Sequence, residues 1–268
     1  MLPSRGKRTP EMDTNVKDST PGFNRFGFAL AGLCLILLGC GGSAASSDGG
    51  VADLQLLSTV HLDVAEPSGL TPFGTGQCLV IGDSTGRMDV LSLDGQVVRT
   101  METGLTGMEA VTYRASDDTI WVVQEEARVV SKLDSTGHVL AQYDVNVAGP
   151  ANKGPEGLAW HPGLGVFFML KEGSPGTLYR WDPAQGILSA RELAFALDYS
   201  DIYCDPDGTS LWIVSDESRT LTRTDLDGVA QQTWSHGLPK VEGVIVDRAN
   251  GRVYLTSDSV GDFYVLKF

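Results

Sequence analysis

From Glu66 onward the chain carries short apolar runs separated by polar turn residues, with almost no trace of the three-to-four-residue spacing of an amphipathic helix. The clearest runs are Cys78-Leu79-Val80-Ile81, Ile120-Trp121-Val122-Val123, Val166-Phe167-Phe168-Met169, Leu211-Trp212-Ile213-Val214 and Val253-Tyr254-Leu255-Thr256. They are short and rich in β-branched and aromatic side chains, which suits a buried strand better than a helix. Between them stand turns such as Asp94-Gly95, Ser135-Thr136-Gly137 and Asp227-Gly228, which supply the positive φ that tight hairpins require. The pattern predicts an all-β chain of hairpin-connected strands.

The runs also repeat. Upstream of them align Ser68-Gly69-Leu70, Glu109-Ala110-Val111, Glu156-Gly157-Leu158, Ser200-Asp201-Ile202 and Glu242-Gly243-Val244, at spacings of 41, 47, 44 and 42 residues. A four-stranded unit of about 40 to 45 residues is the period of a propeller blade. The last repeat ends with its third strand, Phe263-Tyr264-Val265-Leu266, whereas an extra strand, Leu54 to Leu62, precedes the first repeat. Pairing the two would close the ring and cover an exposed edge. The expected fold is therefore a five-bladed β-propeller whose last blade is completed by the N-terminal strand. An open β-sandwich would not explain one surplus strand at the start and one missing at the end.

Upstream of the repeats, Arg5, Lys7, Arg8, Lys17 and Arg25 are followed by an apolar run from Phe26 to Leu38. It is too short to span a bilayer comfortably and reads as a secretory signal over residues 1–39. The run ends Leu37-Leu38-Gly39-Cys40 and continues Gly41-Gly42-Ser43, which resembles the lipobox of bacterial lipoproteins, where the cysteine becomes the lipidated first residue. On this reading residues 40–52 are a flexible tether and 53–268 the propeller domain. The protein would be held in the cell envelope, outside the cytoplasm. Gly41 after Cys40 is compatible with the outer membrane in a diderm host.

Charge narrows the partners. Without residues 1–39 the chain keeps 15 basic and 31 acidic side chains, a net charge of −16. Such a surface repels nucleic acid and anionic headgroups and suits cations or basic partners. The expectation is a monomer with no nucleic-acid partner. The two cysteines left after lipidation, Cys78 and Cys204, fall in strand slots that other repeats fill with apolar residues, and read as core fillers in separate blades rather than a disulfide.

In a propeller the first strand of each blade lines the axis and the second returns antiparallel to it, so the start of one meets the end of the other on one face. Those positions are Ser68 with Asp83, Glu109 with Glu125, Glu156 with Lys171-Glu172, Ser200-Asp201 with Asp216, and Glu242 with Asp258, always 15 or 16 residues apart. Carboxylates aimed at one funnel raise each other's pKa unless a cation or buried base compensates. All the strong candidate ligands are hard oxygens, and the four histidines, His61, His138, His161 and His236, align outside this face, which favours calcium over zinc or copper. Glu109, Glu156 and Glu242 are the expected metal ligands, with Ser68, Ser200 and Asp201 beside them. Asp83, Glu125, Lys171, Glu172, Asp216, Arg219 and Asp258 lie further out. His161 and His236 are expected in solvated turns. Arg87, Arg128 and Arg219 follow the outer acids by three or four residues and could pair with them instead.

Three stretches together resemble the SdiA-regulated family: Pro155-Glu156-Gly157-Leu158-Ala159-Trp160, Leu211 to Arg219 followed by Leu226-Asp227-Gly228, and Gly237-Leu238-Pro239-Lys240-Val241-Glu242-Gly243-Val244. The resemblance covers about Asp53 to Phe268. It implies a five-bladed propeller distantly related to NHL-repeat proteins, with a calcium site. The family's Glu-Gly pattern falls on Glu156-Gly157 and Glu242-Gly243, less cleanly on Glu109-Ala110, and is replaced by Ser68 and Ser200-Asp201 in the other two repeats.

Three functions remain open on these residues. The leading one is a non-catalytic, calcium-binding propeller presenting its acidic loop face to a small-molecule or protein ligand. The alternative is a calcium-dependent lactone or ester hydrolase similar to the gluconolactonase and SMP-30 group, with Glu125, Asp216 and Lys171 as proton-transfer candidates. No Asn-rich metal quartet and no Gly-x-Ser-x-Gly motif support that alternative. The third is a metal-free module that docks a basic partner.

Overall fold

The apolar runs are buried on both sides as the second strands of five antiparallel sheets, which is why they read as continuous rather than alternating. A computed structural model describes residues 51–268 except 151 and 174. The signal-like segment, Cys40 and the tether as far as residue 50 lie outside the described residues.

The described chain begins with β1 (Ala52–Asp53) and β2 (Gln55–His61). Four consecutive strands, β3 (Pro67–Pro72), β4 (Gln77–Gly82), β5 (Arg87–Ser92) and β6 (Val97–Glu102), then form the first blade in sequence order. The second blade is β7 (Met108–Arg114), β8 (Thr119–Gln124), β9 (Val129–Asp134) and β10 (Val139–Asp144). The third is β11 (Pro155–His161), β12 (Val166–Lys171), β13 (Gly176–Asp182) and β14 (Gly186–Leu193). The fourth is β15 (Asp201–Cys204), β16 (Leu211–Ser215), β17 (Thr220–Thr224) and β18 (Ala230–Ser235). The fifth takes β19 (Val241–Asp247), β20 (Arg252–Ser257) and β21 (Asp262–Lys267) from the end of the chain, and β2 as its outer strand. The arrangement is a five-bladed β-propeller, closed as expected: Gln55 stands opposite Lys267 and His61 opposite Asp262.

Closure has an additional feature. Before joining the fifth blade, β1 runs parallel to β18 of the fourth, and the Leu54 amide donates to the Ser235 carbonyl at 2.8 Å. Leu54 is buried with Trp212 and Trp234 of the fourth blade. One stretch of chain therefore clasps two blades.

The core lies between blades. One cluster joins Trp121 and Val123 of the second blade to Phe167, Met169 and Trp181 of the third, with the Trp121 and Phe167 rings 4.6 Å apart between centroids. Burying each such side chain contributes roughly 1.5–3 kcal/mol relative to exposure, so adjacent blades hold each other. Cys78 and Cys204 are free buried thiols in different clusters, and burial pushes each up to about 12. They are core fillers, as their strand slots suggested.

Near the axis the inner strands approach too closely for side chains. A Cβ on Gly157 would come within 3.1 Å of the Ile202 amide nitrogen, and one on Gly69 within 2.9 Å of that of Val111. These contacts give the glycine of the Glu-Gly pattern its physical reason.

Candidate functional site

The axial acids are aimed by β-bulges. Between β7 and β8 the pairing steps from Met108 opposite Gln124 to Ala110 opposite Val123, leaving Glu109 without a partner. The same skip leaves out Glu156 between Pro155 and Gly157, and Glu242 between Val241 and Gly243. In the first blade the irregular stretch between Pro67 and Leu70 contains Ser68. A bulge bends the strand and re-aims the extra residue. Here it turns each axial side chain toward the mouth of the funnel.

These side chains enclose a cavity of about 220 Å³ lined by Glu66, Ser68, Asp83, Glu109, Glu156, Glu172, Ser200, Glu242 and Asp258. Seven carboxylates and two hydroxyls line it, with no basic side chain among them. The structure thus brings together three of the expected ligands, both serines and three of the outer acids. Glu125 lines an adjoining cavity with Asp83 and Glu109, and its carboxylate accepts the Gly154 amide at 2.8 Å.

The remaining expected residues lie elsewhere. Asp201 is fully buried between the fourth and fifth blades, where it accepts the Val244 amide at 3.0 Å while its other oxygen has no partner. Asp216 accepts the backbone amide of Lys240 at 2.6 Å and pairs with its ammonium at 3.0 Å. Lys171 reaches the Glu172 carbonyl at 3.4 Å. Arg219 serves its turn through the backbone, with φ 54° and its carbonyl accepting the His236 amide.

Electrostatics follow from this crowding. Burial pushes Glu109 up to about 8, with Asp83 and Glu125 adding repulsion. Burial pushes Glu156 up to about 10, reinforced by Glu172 and Glu242, and Glu242 up to about 8, reinforced by Asp258 and Asp216. Asp83 and Asp258 are raised too, each first by burial. The nearest cations serve the rim: Lys153 pairs with Glu172 at 3.1 Å and Lys240 with Asp216.

The arginine pairing considered from sequence is not made. Arg87 binds Asp89 of its own blade at 2.7 Å, and Arg128 donates to the carbonyls of Val147, Gly149 and Pro150. Chemically the cavity is a cage of hard oxygen donors in excess of any local cation. Among the described residues, however, no three acidic, histidine or cysteine side chains stand close enough together to form a ready metal site.

Two expectations need correction. His161 and His236 are not in solvated turns, being 4% and 6% exposed. His161 takes the Leu164 amide at 3.0 Å and reaches the Gly208 carbonyl at 3.0 Å, pinning the third blade to the fourth. His236 takes the Leu238 amide and reaches the Ser215 carbonyl, and burial lowers its pKa to about 4. Both rings are used up by backbone groups.

Sequence reasoning also missed Glu66, which lines the cavity. No signal in the sequence marks it: Glu66 stands two residues before Ser68 in a left-handed conformation with φ 51°, which Gly107 and Lys240 share at the equivalent positions of the second and fifth blades.

The model of the SdiA-regulated family matches residues 65–267. No curated protein matches the chain. Among solved structures, glutaminyl cyclase of Myxococcus xanthus is 13% identical, with a TM-score of 0.62 over 81% of this chain and 97% of that one. Virginiamycin B lyase from Staphylococcus aureus is 14% identical, with a TM-score of 0.47 over 75% of this chain and 66% of that one. At such identities the first likeness is one of fold alone.

Proposed function

The chain belongs to the SdiA-regulated family, and from that premise we propose that it is a calcium-binding propeller, anchored to the cell envelope through lipidated Cys40, that acts as a non-catalytic binding module. The observation that carries the metal reading is the cavity in which seven carboxylates and two hydroxyls meet, with Lys153 on Glu172 as the one ammonium paired to a lining carboxylate among the described residues. Hard oxygens alone fit calcium and exclude soft or imidazole-seeking metals. Glu109, Glu156 and Glu242 would hold the ion, with Ser68 and Ser200 offering neutral oxygens and Glu66 a further carboxylate. A bound calcium would supply the positive charge that offsets the burial and mutual repulsion raising these groups. The chain's own contribution is the set of bulges that aims the donors and the burial that keeps water from screening them. With the charge met, the outer acids Asp83, Glu172 and Asp258 remain to recognise a ligand on the loop face.

The test is thermal melting in calcium and in chelator. An ion held at a hundred times its dissociation constant adds about 2.7 kcal/mol to the folded state, which for a domain of this size raises the melting temperature by roughly 5 to 10 °C. Glu156→Gln and Glu242→Gln keep shape but remove ligand charge, so their calcium response should shrink. Identical wild-type curves in calcium and chelator would remove the metal from this account. The anchor is tested separately: Cys40→Ser should abolish lipid labelling and release the protein, and persistent labelling would refute it.

A further inference from the structure

The inner strands end, on the side away from the acidic cavity, in a different chemistry. A groove of about 520 Å³ there runs between the first, fourth and fifth blades, walled by Pro72, Tyr203, Pro206, Ile245 and Tyr254. That volume lies within the roughly 300–1,000 Å³ usual for small-molecule sites. Asp205, Asp207 and Asp247 stand along the groove with a single base, Arg248. The Arg248 guanidinium is committed to Asp205 at 2.8 Å and approaches Asp207 at 3.6 Å. Asp205 also accepts the Trp212 indole N–H at 3.0 Å. Asp247 is held only by Asn250, through its backbone amide at 3.1 Å and side-chain amide at 2.7 Å. The groove therefore carries two carboxylates beyond what Arg248 balances.

We propose that this groove binds a small organic cation, an ammonium group carrying an alkyl or aryl body. The body packs on Tyr203, Tyr254 and the two prolines, and the ammonium faces Asp247 and Asp207. Three features favour a cation over a neutral or anionic ligand. The excess charge on the rim is negative. The walls include two tyrosine rings, whose faces attract cations. The Tyr203 phenol, made a weaker acid first by burial and then by Asp205, Cys204, Asp247 and Asp207, has no hydrogen-bond partner among the described residues and can accept from an ammonium. Elsewhere the same fold already satisfies a cation in this way: the Arg114 guanidinium lies 4.8 Å from the Trp121 ring centre and 5.0 Å from that of Trp160, with Asp117 accepting its Nε–H at 2.8 Å. The proposal does not depend on calcium at the other mouth.

The experiment is calorimetric titration of the full chain with 2-phenylethylamine, 2-phenylethanol and phenylacetate, three probes of similar shape and different charge. The amine is expected to bind at least tenfold more tightly than the alcohol, and phenylacetate not at all. Asp247→Asn, which retains the turn to Asn250, should weaken the amine several-fold and leave the alcohol unchanged. Tyr203→Phe should weaken the amine less, because only the acceptor is lost. Amine affinity should be the same in calcium and in chelator. Equal binding of amine and alcohol would overturn the selection of a cation. Absence of amine binding, or amine binding that ignores Asp247→Asn, would overturn the groove as the site.

Discussion

One mouth of the propeller axis holds the acidic cavity, the groove at the opposite ends of the first, fourth and fifth blades' inner strands forms the other, and the two differ in nearly every respect. At the starts of three inner strands a bulge breaks the pairing and turns Glu109, Glu156 and Glu242 into one acidic cavity. Two residues further on, Leu70, Val111, Leu158, Ile202 and Val244 are buried. Beyond them the inner strands of the first, fourth and fifth blades pair regularly and run to the groove walled by Pro72, Tyr203, Pro206 and Tyr254. A local irregularity, repeated by the blade period, concentrates charge where it costs most. Regular pairing at the other end leaves an apolar groove with charge only on its rim. The bulges, rather than the acidic composition as a whole, create the acidic cavity.

Both mouths require the ring to be closed, so the largest expected effect comes from deleting Asp53 to Asp63. That removes β2, exposes the edge of β21, and cuts the clasp on the fourth blade. A domain of this kind has only about 5–15 kcal/mol of net stability, and the deletion should consume most of it. Circular dichroism showing the full melting temperature after deletion would break the closed-ring account and with it the contrast between mouths.

The next effect distinguishes the mouths by pH. In the absence of metal, Glu109, Glu156 and Glu242 have folded pKa values of about 8, 10 and 8, above the roughly 4.3 of an unfolded chain. The folded state therefore keeps protons that the unfolded state gives up. Their contribution is fully present below about pH 4.3 and is lost as pH rises through 8 and toward 10. Chelated protein should melt progressively lower from pH 5 to pH 9, and saturating calcium should flatten the slope. Glu156→Gln should flatten it in chelator as well. A chelated wild type that gains stability over that range would contradict the crowded-carboxylate picture.

Smaller effects sharpen the boundary of the acidic site. Glu66→Gln removes one lining charge at the edge of the cavity and should reduce the calcium-induced rise in melting temperature by a few degrees, less than Glu156→Gln. Asp247→Asn, at the other mouth, should leave that rise unchanged. If the two variants behaved alike, the calcium response would reflect bulk acidity. A panel of sugar lactones and aryl esters completes the comparison. Calcium-dependent turnover lost in Glu156→Gln would replace the binding module by a hydrolase.

Much of this was legible in sequence because a propeller repeats. The five aligned segments located every axial position, and the strand left over at one end matched the strand missing at the other. The same alignment misjudged His161 and His236. A histidine beside turn residues looks solvated, whereas both rings are buried against backbone carbonyls, of Gly208 in the next blade and of Ser215 across its own. Glu66 was overlooked because it precedes its strand, and its left-handed backbone is a conformation that sequence does not announce for glutamate.

The blade count, the closure of the ring, the core and the ring of acids can be read from the amino-acid order, because each follows from a period and from which residues avoid water. The folded molecule settles what depends on the approach of segments far apart in the chain. It set which acids share one cavity, sending Asp201 into a blade interface and Asp216 to Lys240. It also laid β1 across the fourth blade and joined three blades into the tyrosine-walled groove. A repeat fixes position within a blade, whereas contact across the axis depends on how the side chains of different blades fill the space where they meet.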